Sequence, residues 1–468
     1  MRQRTLLCAL TFLTVSVSAQ DSTALQDSTF ELKDYRYRTP GFRALSVGFN
    51  LNGSSFNQKL ENSSKQVVRE LRLSASNLHY YRTFSTDKRL HTSSISFSPS
   101  FYAVSNKNQS TVSKSRNLQS SFAWNLNDRF YKNNLWFFEA GNQFNYNGSA
   151  YRSKDSTNRQ QSNNHNLQNT ITLGFGKGRI ENVQDAQMAL YIINDLQQQG
   201  LLHTAVQPQT VQELARLITA INNRRVFDSR RRRIFELTQI DSFLRSSGLV
   251  TNTDIRHFTT VNDNWALAFN PGRLSGAHWY ISLQPGAGIG TNTYNLQQPA
   301  AKHDSRHNNT LFTLAPMAGY EKYVPVSLKW QRNMGASLSW QKGWYAYHSK
   351  VNSSNQTFRQ DSSQQTAQWS LHTFYGVGFY PNNRTQVTVN LAVEASRLAF
   401  EKSKHQNVTQ LRPALQLGAD YFISYQTRLF AQYNLWYLQN FYTHGSLSPS
   451  DEKQLNTNVS IGITHILF

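Results

Sequence analysis

Residues 385–395 read TQVTVNLAVEA, and apolar side chains alternate with polar ones along this stretch except at Ala392. One parity carries Val387, Val389, Leu391, Val393 and Ala395, and the other carries Gln386, Thr388, Asn390 and Glu394. Successive side chains of a β-strand point to opposite faces, so the stretch predicts a strand with one apolar and one polar face. The same alternation returns in segments of about ten to fifteen residues along most of the chain.

The polar parity carries Gln, Asn, Ser, Thr and Gly rather than the dense Lys and Glu of a soluble surface. Such a face suits a water-filled lumen, and strands of about 9–11 residues with alternating faces are typical of membrane-spanning barrels. Aromatic residues make up 13% of the chain and cluster near the predicted strand ends, where lipid head groups favour them. We therefore predict an all-β fold, a transmembrane antiparallel β-barrel. An aromatic-rich β-sandwich is the alternative.

The N-terminus predicts a secretory signal peptide over residues 1–19. Arg2 and Arg4 precede an apolar stretch, and Val17-Ser18-Ala19 forms a small-residue cleavage site. The only cysteine, Cys8, lies inside this segment, which excludes disulfide and thiolate chemistry after cleavage. No later stretch reaches the roughly 18 continuous apolar residues of a transmembrane helix. Export without such an anchor predicts the bacterial outer membrane.

The formal net charge of +21 raises nucleic-acid binding as a function. Secretion argues against nucleic acid, and the basic residues are scattered through turns and loops. We predict instead that a basic exterior faces lipid phosphates or lipopolysaccharide.

Alternation predicts fourteen strands, with an N-terminal periplasmic segment at 20–42, strands 1–6 within 43–176 and strands 7–14 within 276–468. Short polar turns are predicted at one end and longer polar loops at the other, the pattern of an outer-membrane barrel with its long loops outside. The turns are 85–88, 127–128, 321–323, 381–384 and 424–427, and the loops are 53–66, 105–114, 148–164, 294–308, 350–364, 400–408 and 443–453. Sixteen strands would follow if 251–275 spanned the membrane and 325–349 were two strands.

Residues 177–275 break the period and predict a periplasmic insertion of three amphipathic helices, the first capped by Asn182 and Asp185. Its densest charge could hold an anionic periplasmic or cell-wall partner, with a solvated helix face as the alternative. These basic residues are Arg224, Arg225, Arg230, Arg231, Arg232 and Arg233.

The inward parity predicts a neutral to mildly cationic lumen. Its candidate residues are Gln119, Gln143, Gln284, Lys329, Asn390, Arg412, Gln416, Asp420 and Gln432. We expect no catalytic, cofactor or metal site: a Gly-x-Ser-x-Gly elbow is absent, and His303, Asp304 and His307 suit a solvated loop better than a metal site. The function favoured is a non-enzymatic channel or solute transporter. Alternatives are a barrel that anchors a periplasmic or cell-wall partner through its helices, and a membrane hydrolase.

The signal, the Asn/Gln/Ser-rich alternating strands, the polar loops and the terminal Phe468 together resemble outer-membrane β-barrel proteins of Bacteroidota-type bacteria. Residues 174–186, GFGKGRIENVQDA, are similar to a junction from strand into periplasmic helices in poorly characterised members. The resemblance implies a porin-like barrel recognised by the barrel-assembly machinery. One departure is that Val459, Ile461 and Ile463 lie on the parity opposite to Phe468.

Overall fold

One antiparallel sheet of fourteen strands, each paired with its neighbour in the chain, forms the wall of a β-barrel in the computed structural model. The structure describes residues 30–58, 66–107, 112–223, 229–251, 254–266, 273–299, 301–353, 356–401, 407–423, 427–442 and 452–465. The strands are β1 Thr39–Gln58, β2 Gln66–Ser85, β3 Arg89–Lys107, β4 Val112–Tyr131, β5 Trp136–Lys154, β6 Arg159–Asn182, β7 Leu274–Gln298, β8 Ala301–Pro325, β9 Trp330–Ser353, β10 Gln356–Asn382, β11 Thr385–Phe400, β12 Val408–Phe422, β13 Thr427–Tyr442 and β14 Glu452–His465.

The alternation divides this wall into an apolar exterior and a polar interior. Register partners in a sheet share a face, and Val389 lies opposite Leu417 while Asn390 lies opposite Gln416. The apolar face is exposed: Leu391 and Leu118 keep 50% and 54% of their surface accessible. Large apolar side chains presented in a continuous band to the surroundings require lipid rather than water, so the barrel is a transmembrane one.

The strands are longer than predicted at the end that carries the predicted long loops. Residues 148–164, 294–308 and 350–364 lie mostly in strands, so the loop prediction is wrong there. β10 has 27 residues and β14 has 14. At about 3.3 Å per residue, β10 extends roughly 90 Å, far beyond an apolar band of about 25 Å. Polar cross-strand pairing continues the hairpins beyond the membrane.

At the other end the connections are short, as predicted, but two of them lie elsewhere. β4 continues through 127–128 to Tyr131, and β8 continues through 321–323 to Pro325. The turn at 85–88 lies where it was predicted, while 424–426 and the terminal Phe468 lie outside the described residues, as do the proposed signal peptide and residues 20–29.

The insertion between β6 and β7 contains four helices rather than three. They are α1 Gln184–Gln198, α2 Pro208–Asn223, α3 Ser229–Ser246 and α4 Ile255–Trp265. Residues 254–265 are helical, and β9 is one continuous strand through 330–353, so the sixteen-strand alternative is wrong. The insertion is also shorter than the predicted 177–275, because β6 extends to Asn182.

No helix in the described parts of the chain is long and apolar enough to cross a membrane.

Candidate functional site: the polar inner wall and its closed mouth

The candidate residues on the strands all lie on the polar face. Gln143 pairs in register with Asn125 and with Thr170, which extends one polar row across β4, β5 and β6. Gln119 lies opposite Ser149 on the same face. An open cavity of about 280 Å³ runs along this wall and is lined by polar residues that include Asn125, Asn127, Gln143 and Thr172.

On the opposite side of the barrel, Asn390, Gln416 and Asn434 form a second polar row across β11, β12 and β13. Asp420 lies opposite Gln386, Gln432 lies opposite Gly418, and Gln284 of β7 lies opposite Ala315. The Arg412 guanidinium lies 4.8 Å from the Trp436 ring centre and 3.9 Å from the Glu394 carboxylate. The candidate side chains on the strands therefore lie on the face that a lumen requires. That they line a passage for solutes stays a prediction.

Lys329 is an exception, because it lies in the β8–β9 turn rather than on a strand. Its backbone carbonyl accepts a hydrogen bond from the Tyr380 amide at 2.7 Å. The prediction that Lys329 lines the lumen placed its stretch inside a strand and missed the turn between Pro325 and Trp330.

Towards the helical end, the polar face changes from accessible to buried. Phe137, Glu139 and His278 each keep less than a tenth of their surface accessible. Glu139 accepts a hydrogen bond from the Asn127 side chain at 2.6 Å and lies 3.3 Å from the Arg129 guanidinium. Sequence reasoning missed this cluster because it placed a turn at 127–128, although the strand alternation simply continues there.

Two glycines let β6 and β7 leave the wall and cross this mouth. Gly178 and Gly276 have positive φ values of +107° and +114°, a backbone conformation that side chains with a Cβ rarely adopt. A Cβ at either glycine would also overlap a backbone carbonyl of the paired strand. The sequence contained a signal for this bend, since Gly174, Gly176 and Gly178 occur within five residues.

Beyond the bend, Arg179 reaches the β2–β3 turn although three strands separate β2 from β6. Its guanidinium donates to the Thr86 carbonyl and to the Ser85 hydroxyl, both at 2.8 Å, and lies 2.9 Å from Glu181. Arg38 contacts the same Glu181 carboxylate at 2.9 Å and Asp87 at 2.6 Å. This ion-pair network connects the N-terminal segment, the β2–β3 turn and the β6 extension, so it closes one side of the mouth.

The four helices then pack into one domain with a core of their own. Ile192 and Leu196 of α1, Leu214 and Ile218 of α2, and Ile240 of α3 have no accessible surface. The N-terminal segment belongs to this core through Leu32 and Tyr35. Burial of these apolar stripes stabilises helices that are too short to be stable alone.

The helical domain contacts the β10–β11 hairpin, which lies across the barrel from β6. Tyr191 of α1 donates to the Tyr380 carbonyl at 3.3 Å. Asn383, in the β10–β11 turn, donates to Asn264 of α4 at 2.7 Å. On the other side α2 lies against β1. With its covalent attachment at β6 and β7, the domain is held at three separated parts of the rim and lies over the opening.

Arg273 joins this domain to the rim where β7 begins. Its side chain has no accessible surface, and it donates to the carbonyls of Leu328, Ser327 and Trp330 at 2.6–2.8 Å and to the Gln331 side chain at 2.9 Å. The guanidinium also lies 4.9 Å from the Tyr380 ring centre. Arg273 therefore fixes the β8–β9 turn to the base of the helical domain.

The arginines predicted to bind a partner are, where described, engaged within the domain. Arg232 lies 2.6 Å from the Glu236 carboxylate, and Arg233 donates to the backbone and side chain of Asn262 at 2.8–2.9 Å. Arg224 and Arg225 lie outside the described residues, as do the side chains of Arg230 and Arg231. The two described contacts are internal to the helical domain, and partner binding by these arginines stays a prediction.

A buried carboxyl, Asp185, lies between α1, α2 and the N-terminal segment. It accepts hydrogen bonds from Thr219 and from Asn222 at 3.2 Å, and Thr219 also contacts the Tyr35 hydroxyl at 2.6 Å. Burial raises the pKa of Asp185 to about 6, against which the two hydrogen bonds act. The prediction that Asp185 caps α1 is wrong; the Asn182 side chain accepts from the Gln184 amide instead.

This carboxyl makes the helical domain pH-sensitive. Since the folded-state pKa lies above the unfolded value of 3.8, the folded domain binds the proton more tightly, and its stability falls as pH rises from about 4 to 6. We expect Asp185→Asn to remove this dependence, which amounts to about 2 kcal/mol between pH 4 and 7 in the native chain. The measurement is thermal unfolding at several pH values, followed by the circular dichroism of the helices. A variant at an exposed carboxylate, Asp263→Asn, is the control. Identical pH dependence in the Asp185 variant and the native chain would refute the assignment.

The described residues contain no group of three or more metal-ligating side chains. His303 and His307 lie in strand β8 rather than in a loop, and the His307 imidazole contacts the Tyr347 hydroxyl at 2.7 Å. Asp304 is engaged with Asn295 and lies 3.2 Å from Lys302. His307 and Asp304 thus contact side chains of the neighbouring strands, and the His303 ring lies 6.0 Å from that of Tyr294 on β7.

No family model matches the chain, and no curated protein matches it.

Several solved structures are similar to the chain in fold. The ferric yersiniabactin uptake receptor FyuA from Yersinia pestis is 6% identical, with a TM-score of 0.32 over 85% of this chain and 62% of that one, which is less than two thirds. The β-domain of the Bordetella autotransporter BrkA is 8% identical, with a TM-score of 0.26 over 91% and 99%. OmpT, an outer membrane protein of Vibrio cholerae, is 8% identical, with a TM-score of 0.21 over 92% and 99%. The matched chains are outer-membrane β-barrels, and identities this low transfer no activity.

Proposed function

We propose that the protein is a non-enzymatic channel or transporter for hydrated solutes in the bacterial outer membrane, and that its helical domain closes the periplasmic mouth. The observation that carries the proposal is the contrast along one inner wall. Gln143 is exposed on the polar face of β5, whereas Glu139, on the same face of the same strand and nearer the helical end, is buried, as is His278 of β7. A hydrated wall under a packed mouth is the arrangement of a passage that opens when the mouth rearranges.

Neighbouring residues on opposite faces provide a test of the passage itself. Tryptophan at Asn390 would extend into the lumen, whereas tryptophan at Val389 would lie against lipid. In planar bilayers we expect Asn390→Trp to reduce single-channel conductance by roughly a third to a half, since conduction follows pore width. Val389→Trp should conduct like the native chain. Equal conductance of both variants would show that ions do not pass along this wall.

A second function is anchoring of a periplasmic or cell-wall partner. Ile234 on α3 and both Ile255 and Phe258 on α4 are more than half exposed on the helical domain. Exposed apolar side chains on a small domain favour a binding surface. The native chain should capture a cell-wall or periplasmic component. The Ile255→Ser/Phe258→Ser variant should lose this capture while its conductance stays unchanged.

A further inference from the structure

A row of basic side chains crosses the outside of the barrel at the end opposite the helical domain. Followed in register from β2 to β8, the row reads Arg69, Ser105, Lys114, Lys154, Arg159, Gln297 and Lys302. Two residues nearer the membrane, the next row on this face contains Ala103, Arg116, Arg152 and Gln161. The basic side chains of both rows are exposed. The rows thus place seven cations on one continuous part of the wall.

These rows directly border the apolar band. Leu118, which is 54% exposed, has the same parity as Arg116 and Lys114 and lies opposite Phe101. Two residues along a strand correspond to about 7 Å. Arg116 therefore lies about 7 Å beyond Leu118, away from the helical end, and Lys114 lies about 14 Å beyond it. That is the level at which the head groups of the outer leaflet meet a barrel whose helices face the periplasm.

Four of these cations face one another in pairs. Lys114 lies opposite Lys154, and Arg116 lies opposite Arg152. Like charges in direct cross-strand positions are destabilising. Within the described part of the chain, none of these four side chains takes part in an ion pair. The nearest carboxylate in sequence, Asp155, instead accepts hydrogen bonds from the backbone of Thr157 and Asn158.

We propose that Lys114, Arg116, Arg152, Lys154 and Arg159 form a binding site for the phosphate groups of a phosphorylated, acylated glycolipid of the lipid A type. Its phosphates would neutralise the facing cations, and arginine offers paired donors that match phosphate oxygens. Its acyl chains would lie along Phe101 and Leu118. The position of the cations at the border of the apolar band is what favours a lipid over free phosphate. The proposal rests on the outer-membrane orientation given under the proposed function.

The test measures binding of bisphosphorylated lipid A to the full chain, folded in a neutral detergent. We expect Arg116→Gln/Arg152→Gln to weaken binding by roughly tenfold or more, since each cation at a lipid surface contributes about 1 kcal/mol. Arg116→Lys/Arg152→Lys should retain most of the affinity. The control is Lys88→Gln/Lys132→Gln, which removes the same charge from exposed turn residues at the opposite end. Heat-dependent gel mobility checks that each variant is folded.

Three results would overturn the proposal. One is equal lipid A affinity for the Arg116/Arg152 variant and the native chain. Another is binding of phosphatidylcholine as tightly as lipid A, which would show that the site recognises acyl chains alone. The third is displacement of lipid A by equimolar inorganic phosphate, which would make it a free-anion site. Conductance of the same variants in bilayers without lipid A should equal that of the native chain, so failure here is distinguishable from failure of the channel proposal.

Discussion

Replacement of residues 184–271 by a short Gly-Ser linker should turn a mostly closed barrel into an open one. The helices are held over the mouth by Tyr191, by Asn264 and by their attachment at β6 and β7. Without them, the β6 and β7 ends, the N-terminal segment and the Arg179 network are the described parts that remain at the opening. We expect time-averaged conductance in planar bilayers to rise by roughly tenfold or more, the shift expected when a closed state is removed from a two-state equilibrium.

A milder variant separates gating from general damage to the barrel. Asn383→Ala removes one rim contact, made with Asn264, and leaves the helical core intact. It should raise the frequency of openings without changing their size. Stepwise openings of equal size and frequency with and without the helices would make the domain an accessory. Silence of both folded proteins would refute the channel and leave the anchoring role.

Loss of the Arg273 side chain should release the helical domain from the rim. Arg273→Ala would leave three backbone carbonyls and the Gln331 side chain without their donor in a buried site. A buried acceptor left without its donor costs about 1–3 kcal/mol, so the four acceptors together make a loss of several kcal/mol. We expect this loss in the free energy of unfolding of the helical domain, measured by denaturant titration of its circular dichroism.

Limited proteolysis of the same variant provides an independent readout, since a released domain should be cleaved between its helices much faster than in the native chain. Arg256→Ala is the matched control, because the exposed Arg256 side chain forms an ion pair with the exposed Asp254. Unchanged stability and unchanged proteolysis of Arg273→Ala would show that the rim contacts do not hold the domain. The time-averaged conductance of Arg273→Ala should rise, as we expect for the chain without the helices.

The sequence by itself determined the wall. Alternation at Val387–Ala395 and in the other segments predicted fourteen strands, the face of each side chain and the presence of a helical insertion, because strand geometry couples neighbouring residues directly. Strand ends were predicted less well: 127–128 and 321–323 look like turns, yet cross-strand pairing carries β4 and β8 through them.

Only the tertiary structure decided what happens at the mouth. Arg179 contacts the β2–β3 turn, and α1 and α4 contact the β10–β11 hairpin. Arg273 and Asp185 are buried. These arrangements bring together residues that are far apart in the chain. No local pattern encodes such pairs, because they depend on the curvature of the barrel wall and, for Arg179, on the bend at Gly178. The cation rows outside the barrel arise in the same way: residues scattered over β2–β8 become neighbours through strand register alone.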